Sequence, residues 1–250
     1  MPAWPEVAAS GLVVGILFGL FGVGGSSFAT PALGLLGVPG LIAIAAPLPA
    51  TIPAALVGMV TYVRRRQVEW PVARWCIYGG VPATIVGALL SDDAGGRALL
   101  IASGVVLAAV GVRILMPLPE GAIAGTARRR PGLVIPAAAA IGFCTGLLAN
   151  GGGFLLVPLF VLVLGLTMPE SAGTSLVVIA VLSIPTLATH WALGHIDWSI
   201  AAAFAVGSIP GAGIGSRLAQ HVPAQAMKRT FGVLLIAFAI YFVSRQVMHP

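Results

Sequence analysis

The chain has 250 residues, 58% of them hydrophobic and 8% charged, with a formal net charge of +6 and a mean hydropathy of +1.04. Soluble domains carry about 25% charged residues, so this composition excludes one; ten-residue segments of alternating hydrophobicity, which would mark a transmembrane β-barrel, do not occur. The sequence reads as an all-α polytopic membrane protein. Its excess of basic residues sits in short loop clusters, which report orientation in a membrane rather than a nucleic-acid partner.

Apolar segments recur along the whole chain. The first half offers Val7 to Gly22, a short piece from Ser26 to Leu36, then Ala43 to Val63, Val72 to Leu90 and Ala98 to Met116. No basic region precedes Val7, so this segment is expected to be a first span and not a cleaved signal. A polar stretch, "PLPEGAIAGTARRRPG", follows. The second half offers Leu133 to Leu148, a short Gly153 to Leu164, Ser171 to Leu193, Trp198 to Leu218 and Ala226 to Val247. Residues 1–116 are therefore expected to form one transmembrane repeat, 117–132 a cytoplasmic linker and 133–250 a second repeat. Cys76 and Cys144 lie in separate apolar segments and are expected to be small buried side chains.

The halves are copies. At an offset of 127, Gly15, Gly19, Leu20, Gly24, Gly25 and Pro31 fall on Gly142, Gly146, Leu147, Gly151, Gly152 and Pro158. One insertion later the offset is 128, and Thr61, Trp70, Gly79, Pro82 and Gly87 meet Thr189, Trp198, Gly207, Pro210 and Gly215. Each copy is expected to hold four long helices and one short helix led by glycine. Gly11, Gly15 and Gly19, and likewise Gly207, Gly211 and Gly215, form small-residue ladders that let helix backbones approach closely in lipid. These glycines are expected to serve packing.

Basic residues should favour the cytoplasmic side. If each half crosses an even number of times, Arg97, Arg217, Lys228 and Arg229 fall outside and the other nine of the thirteen basic residues fall inside. An odd number inverts the second half and leaves only Arg97 and Arg245 outside. The second distribution is the more asymmetric, so inverted repeats with both termini outside are expected.

The two short pieces interrupt their helices at "FGLFGVGGSSFATPAL" (18–33) and "TGLLANGGGFLLVPLF" (145–160). Irregular backbone at membrane depth survives only inside protein or along a wet cavity. Each break creates a helix N-terminus, with up to four unpaired N–H groups and about half a positive charge, which favours an anion. Gly24, Gly25, Ser26 and Ser27 would line one such end, and Asn150, Gly151, Gly152 and Gly153 the other. Thr174 and Ser175, beside the start of their helix, would serve as caps or as ligand donors. Pro31 and Pro158 would free the carbonyls of Ser27 and Phe154, which could instead ligate a cation. Paired interruptions at matching positions of two halves point to a transporter's binding site.

The seven carboxylates lie near segment ends or in loops, where a cation carrier or proton relay would keep one at mid-helix. Glu69 and Asp197, before Trp70 and Trp198, are expected to serve helix N-termini. His190 would titrate as an interfacial residue or gate and couple transport. No P-loop and no His/Cys/carboxylate cluster occurs, so neither ATP, a cofactor nor a metal site is expected. "GAGIGS" around Ser216 matches a nucleophile pattern too loosely to argue for an intramembrane hydrolase, and the chain is not expected to be an enzyme.

The glycine signature followed by an apolar piece with proline, the duplicated halves, and "LGHIDW" after the second long segment resemble the sulfite exporter TauE/SafE family of membrane permeases. That resemblance implies a multi-pass permease of the cell inner membrane for sulfite, organosulfonates or related oxyanions. A small anionic solute, membrane lipid and a coupling proton or sodium ion would be its partners. The first copy has Ser26 where the second has Gly153, so the two half-sites would be chemically unequal. The alternatives are a carrier that binds a cation or metal ion on freed carbonyls, and a membrane-assembly protein that moves nothing.

Overall fold

The computed structural model describes residues 3–38, 40–89, 111–116, 131–148, 153–194 and 196–248. They are helical: α1 (Trp4–Phe21), α2 (Gly25–Leu35), α3 (Gly40–Ala45), α4 (Leu48–Arg64), α5 (Trp70–Leu89), α6 (Pro131–Leu148), α7 (Gly153–Pro158), α8 (Met168–Ala192), α9 (Trp198–Leu218) and α10 (Ala224–Met248). Residues 111–115 are also helical. Among the described residues, α1, α8 and α9 are long and apolar enough to cross a hydrocarbon core.

Local chemistry sets the ends. Glu6 accepts the Ala3 amide to start α1, and Gly22, at φ +69°, ends it with an N–H to Phe18 carbonyl bond of 2.8 Å. Thr167 and Glu170 form a reciprocal capping box on α8, and the Asp197 carboxylate accepts from Ser199 and Ile200 to open α9. Asp197 is thus the N-terminal partner its position before a tryptophan implies. Trp70 and Trp198 are about half exposed, and Trp198 stacks edge-on against exposed Trp191, as interfacial aromatics do.

The expected single segment Ala43 to Val63 is instead two helices. Pro47 has no N–H to continue α3 and its ring restricts the chain, so α3 stops at Ala45. The Pro47 carbonyl then accepts from the amides of Ala50 and Thr51 and begins α4. A second departure follows Pro158. The helix widens over Leu159–Val163 into a π turn, and Leu164 N–H reaches back five residues to Leu159. Together α7 and this turn match the length of α2.

Packing follows the duplication. A Cβ on Gly11, Gly15 or Gly19 of α1 would strike the backbone of Phe204, Ser208 or Ala212 of α9, while Gly207, Gly211 and Gly215 press on Ala8, Leu12 and Ile16. Residue numbers rise together along both helices, so α1 and α9 run parallel with backbones in contact. The pair α6 and α5 repeats this geometry at the corresponding positions. Gly142 meets Gly80 as Gly15 meets Ser208, and Gly79 meets Ile135 as Gly207 meets Ala8. Each first helix therefore packs on the helix of the other half that begins at a tryptophan, α1 on α9 from Trp198 and α6 on α5 from Trp70. The small residues serve packing, as their spacing implies.

The matching helices α4 and α8 also meet one another. Gly58 faces Leu176, and Gly173 faces Tyr62 and Gln67; rising numbers on one helix meet falling numbers on the other. They cross antiparallel.

Candidate functional site

The site region is the junction of α1 and α2, buried throughout from Phe21 to Gly25. A helix end inside protein exposes carbonyls on one side and amides on the other. Here the carbonyls find partners. Tyr62 of α4, fully buried, brings its hydroxyl to the carbonyls of Gly19 and Leu20, at 2.9 and 3.0 Å. Ser175 of α8 donates to Gly22 at 2.7 Å and lies 2.9 Å from its own helix's Ala172 carbonyl. Two other segments thus supply donors to the end of α1.

The amides of α2 have a different fate. Gly24 is its N-cap and, having no side chain, offers no cap acceptor. The first amides, at Gly25, Ser26 and Ser27, lie where an intrahelical acceptor does not exist. The carbonyls of Gly19, Leu20 and Gly22 are thus bonded by side chains of other helices, while Gly24 gives the first amides of α2 no side-chain cap.

Gly25 opens onto a small cavity of about 10 Å³, walled by Phe18 of α1, Thr51 and Ala54 of α4, and Phe204 and Ser208 of α9. A Cβ on Gly25 would lie 3.7 Å from Thr51 Oγ1 and 3.8 Å from Phe18, ordinary contact distances. Thr51 donates back to the Pro47 carbonyl at 3.0 Å, so what it can still offer is a lone pair. Ser208 Oγ is buried and has no hydrogen-bond partner.

The other expected site residues fall as follows. Thr174 and Ser175 sit in the second turn of α8, fully buried. Thr174 Oγ1 accepts the Glu69 amide at 3.0 Å, so both hydroxyls stitch α8 to the first half. Gly153 begins α7; Asn150, Gly151 and Gly152 lie outside the described residues. The two short pieces, α2 and α7, touch each other. His190 is buried in the last turn of α8, beside exposed Trp191. Of the other hydroxyls on these helices, Thr186 and Thr189 bond back to their own helix, and Thr61 pairs with Ser216 of α9 at 3.0 Å. Ser183 Oγ is buried without a partner.

Sequence reasoning did not single out Ser208, Tyr62 or Phe204. For Ser208 a signal existed. It is a hydroxyl in the middle of an otherwise small and apolar helix, at the position where the first copy has Gly80. The described carboxylates Glu6, Glu69, Glu170 and Asp197 stand at helix starts. Among the described residues, no group of three His, Cys, Asp or Glu side chains is placed to hold a metal ion.

The chain is similar in sequence to known membrane proteins. The chain is 31% identical over 246 residues to a probable membrane transporter protein of Xylella fastidiosa (strain 9a5c), covering 95% of this chain and 94% of that one. It is 27% identical over 229 residues to the probable membrane transporter protein YjnA of Bacillus subtilis (strain 168), covering 86% and 90%. A match to the probable membrane transporter protein MJ0441 of Methanocaldococcus jannaschii spans 119 residues at 29% identity and 44% of this chain, about the length of one repeat. No solved structure matches. The model of the sulfite exporter TauE/SafE family matches residues 7–242. Buried helix breaks, membrane-length helices and a family match over nearly the whole chain lead to one conclusion: this protein is a membrane transporter belonging to the sulfite exporter TauE/SafE family.

Proposed function

We propose that the protein is a multi-pass secondary carrier of the cell inner membrane that moves a small sulfur-containing oxyanion, such as sulfite or an organosulfonate. The guest sits between the α2 end, at Gly24, Gly25, Ser26 and Ser27, and the matching end at Asn150, Gly151, Gly152 and Gly153, with Thr174 and Ser175 bordering the site. One observation carries the reading: at the α1–α2 break the carbonyls are bonded by Tyr62 and Ser175, while the N-terminal amides of α2 have no side-chain cap. A cation would want the reverse. The family's description as a sulfite exporter supports the choice of cargo, as does the helix end's affinity for negative charge.

The two halves form inverted repeats in this reading. Support comes from the antiparallel crossing of the matching helices α4 and α8 and from the sidedness of the basic residues. Transport then proceeds by rocking one packed unit against the other around a fixed site. Because backbone amides and hydroxyls replace hydration without a buried arginine, affinity is modest and release is easy. His190, buried at the end of α8, is the candidate for coupling to a proton.

Purified protein in liposomes tests this. Flux of labelled sulfite, sulfate, thiosulfate and a sulfonate is measured against sodium and protons alone. Sulfite or sulfonate flux that disappears in Gly152→Val, with the protein still inserted, is the expected result. Cation flux without anion flux would reverse the sign of the site, and no flux at all would favour a membrane-assembly role.

A further inference from the structure

We propose that His190 latches the end of α6, its imidazole N–H donating to the carbonyl of Gly146 or Leu147, as the Tyr62 hydroxyl does at the end of α1. The inference rests on reading the two helix breaks as halves of one transport site, and it gives the second break a positioning residue.

The offset between the halves carries over to the helix ends. α1 stops at Phe21 and α6 at Leu148, matched at the offset of 127. α4 stops at Arg64 and α8 at Ala192, matched at the offset of 128. The last two share a backbone pattern as well. Arg65 N–H bonds the Thr61 carbonyl at 3.2 Å, and Leu193 N–H bonds the Thr189 carbonyl at 3.0 Å. Tyr62 and His190 therefore hold the same place in the last turn of their helices. Both are buried, although the residue after His190, Trp191, is exposed. A buried ring with a polar tip needs a hydrogen-bond partner.

The packing of the second half brings that partner within reach. Ser208 of α9 packs on Gly15 of α1 and borders one cavity with Ala54 of α4. Its counterpart, Gly80 of α5, packs on Gly142 of α6 and against Leu182 of α8. Gly142 and Leu182 are the counterparts of Gly15 and Ala54. So α5 joins α6 to α8 at the level where α9 joins α1 to α4. One turn on from Gly15 is Gly19, and two turns on from Ala54 is Tyr62, whose hydroxyl lies 2.9 Å from the Gly19 carbonyl. The same steps from Gly142 and Leu182 arrive at Gly146 and His190. The first break has a second donor in Ser175, which bonds the Gly22 carbonyl. The counterpart of Ser175 is Pro47, which has neither an N–H nor a side-chain donor. Of the two donors, Tyr62 alone has a counterpart that can donate. The end of α6 fixes where the chain turns toward α7, and with it the second half of the site.

Thermal unfolding and the concentration dependence of sulfite flux, in protein matched for insertion, test the latch. His190→Phe keeps a buried ring and removes the donor. His190→Gln returns an N–H without a titratable group, and His190→Tyr copies position 62. Thr189→Ala, whose hydroxyl bonds back to Pro185, is the control. Leaving a buried acceptor without its donor should lower the melting temperature of His190→Phe by about 4 °C and raise the half-saturating sulfite concentration several-fold. His190→Gln or His190→Tyr should restore both, and the control should stay close to wild type. An unchanged melting temperature in His190→Phe would overturn the latch. So would His190→Gln and His190→Tyr both behaving like His190→Phe, because a donor alone would then not suffice. Wild-type protein that moves none of the oxyanions would overturn the site reading, and the melting temperatures would still decide the latch.

Discussion

Glycine does opposite things along α1 and just past its C-terminal end. Along its length, Gly11, Gly15 and Gly19 lie against α9 so closely that an added Cβ would strike backbone atoms. Just past its end, Gly25 could carry a Cβ with contacts of 3.7 and 3.8 Å and no clash. The first group lets two helices approach where no hydrophobic force drives them together. The second leaves a helix N-terminus open to a cavity. Composition alone assigns both to the same class, and only the partner across the gap separates a seam from a site.

The comparison breaks first at the seam. Gly207→Val drives side-chain atoms into the Ala8 carbonyl and the Leu12 amide. Neither can yield without parting α1 from α9. The expected loss is about 4 kcal/mol or more, the range of severe core overpacking. Thermal unfolding of detergent-solubilised protein should show a collapse of the transition or no monodisperse species. A near-normal melting temperature would mean the two backbones are not in contact.

The site should break differently. Gly25→Ala places a methyl group in the cavity without backbone conflict and replaces glycine by a better helix former. Stability should stay level or rise slightly while oxyanion flux falls about tenfold or more, the effect expected when a charged guest loses a hydrogen-bonding approach. Loss of stability together with flux would return Gly25 to the packing class. Between these extremes lies Tyr62→Phe, which strips the donor from the Gly19 and Leu20 carbonyls. Leaving buried acceptors unpaired costs about 1–3 kcal/mol, so the melting temperature should drop by several degrees. Flux per folded molecule should change less than in Gly25→Ala.

Much of this was legible from residue order. The offset between the halves reappears as matched contacts, with Gly142 on Gly80 repeating Gly15 on Ser208. The segment Trp198 to Leu218 has the same limits in sequence and structure because Asp197 caps one end and a turn of polar residues closes the other. The break inside Ala43 to Val63 was missed because Pro47 and Pro49 sit near the start of a long apolar run, where proline also fits a helix's first turn. Half of the candidate site was visible as well, since glycine clusters announce a helix end. The other half was not. Tyr62 and Ser175 reach the break from elements distant in the chain, and no local pattern reports which hydroxyl meets which carbonyl. Thr174 and Ser175 illustrate this: adjacent residues with similar hydroxyls, one accepts the Glu69 amide and the other donates to Gly22.

A third kind of glycine gives the comparison its baseline. Gly132, in the first turn of α6, is exposed, and a Cβ there would meet nothing within 4 Å. It presses on no backbone and borders none of the site residues. The remaining physical consequence of its missing side chain is conformational freedom in the unfolded chain, which alanine would reduce. Gly132→Ala should therefore raise stability by no more than about 1 kcal/mol and leave flux unchanged. A melting curve and a flux measurement on that variant set the scale against which the other two glycines are read. If Gly132→Ala also lowered flux, substitution at glycine would perturb this protein by some route other than local contact, and the contrast between Gly207 and Gly25 would lose its meaning.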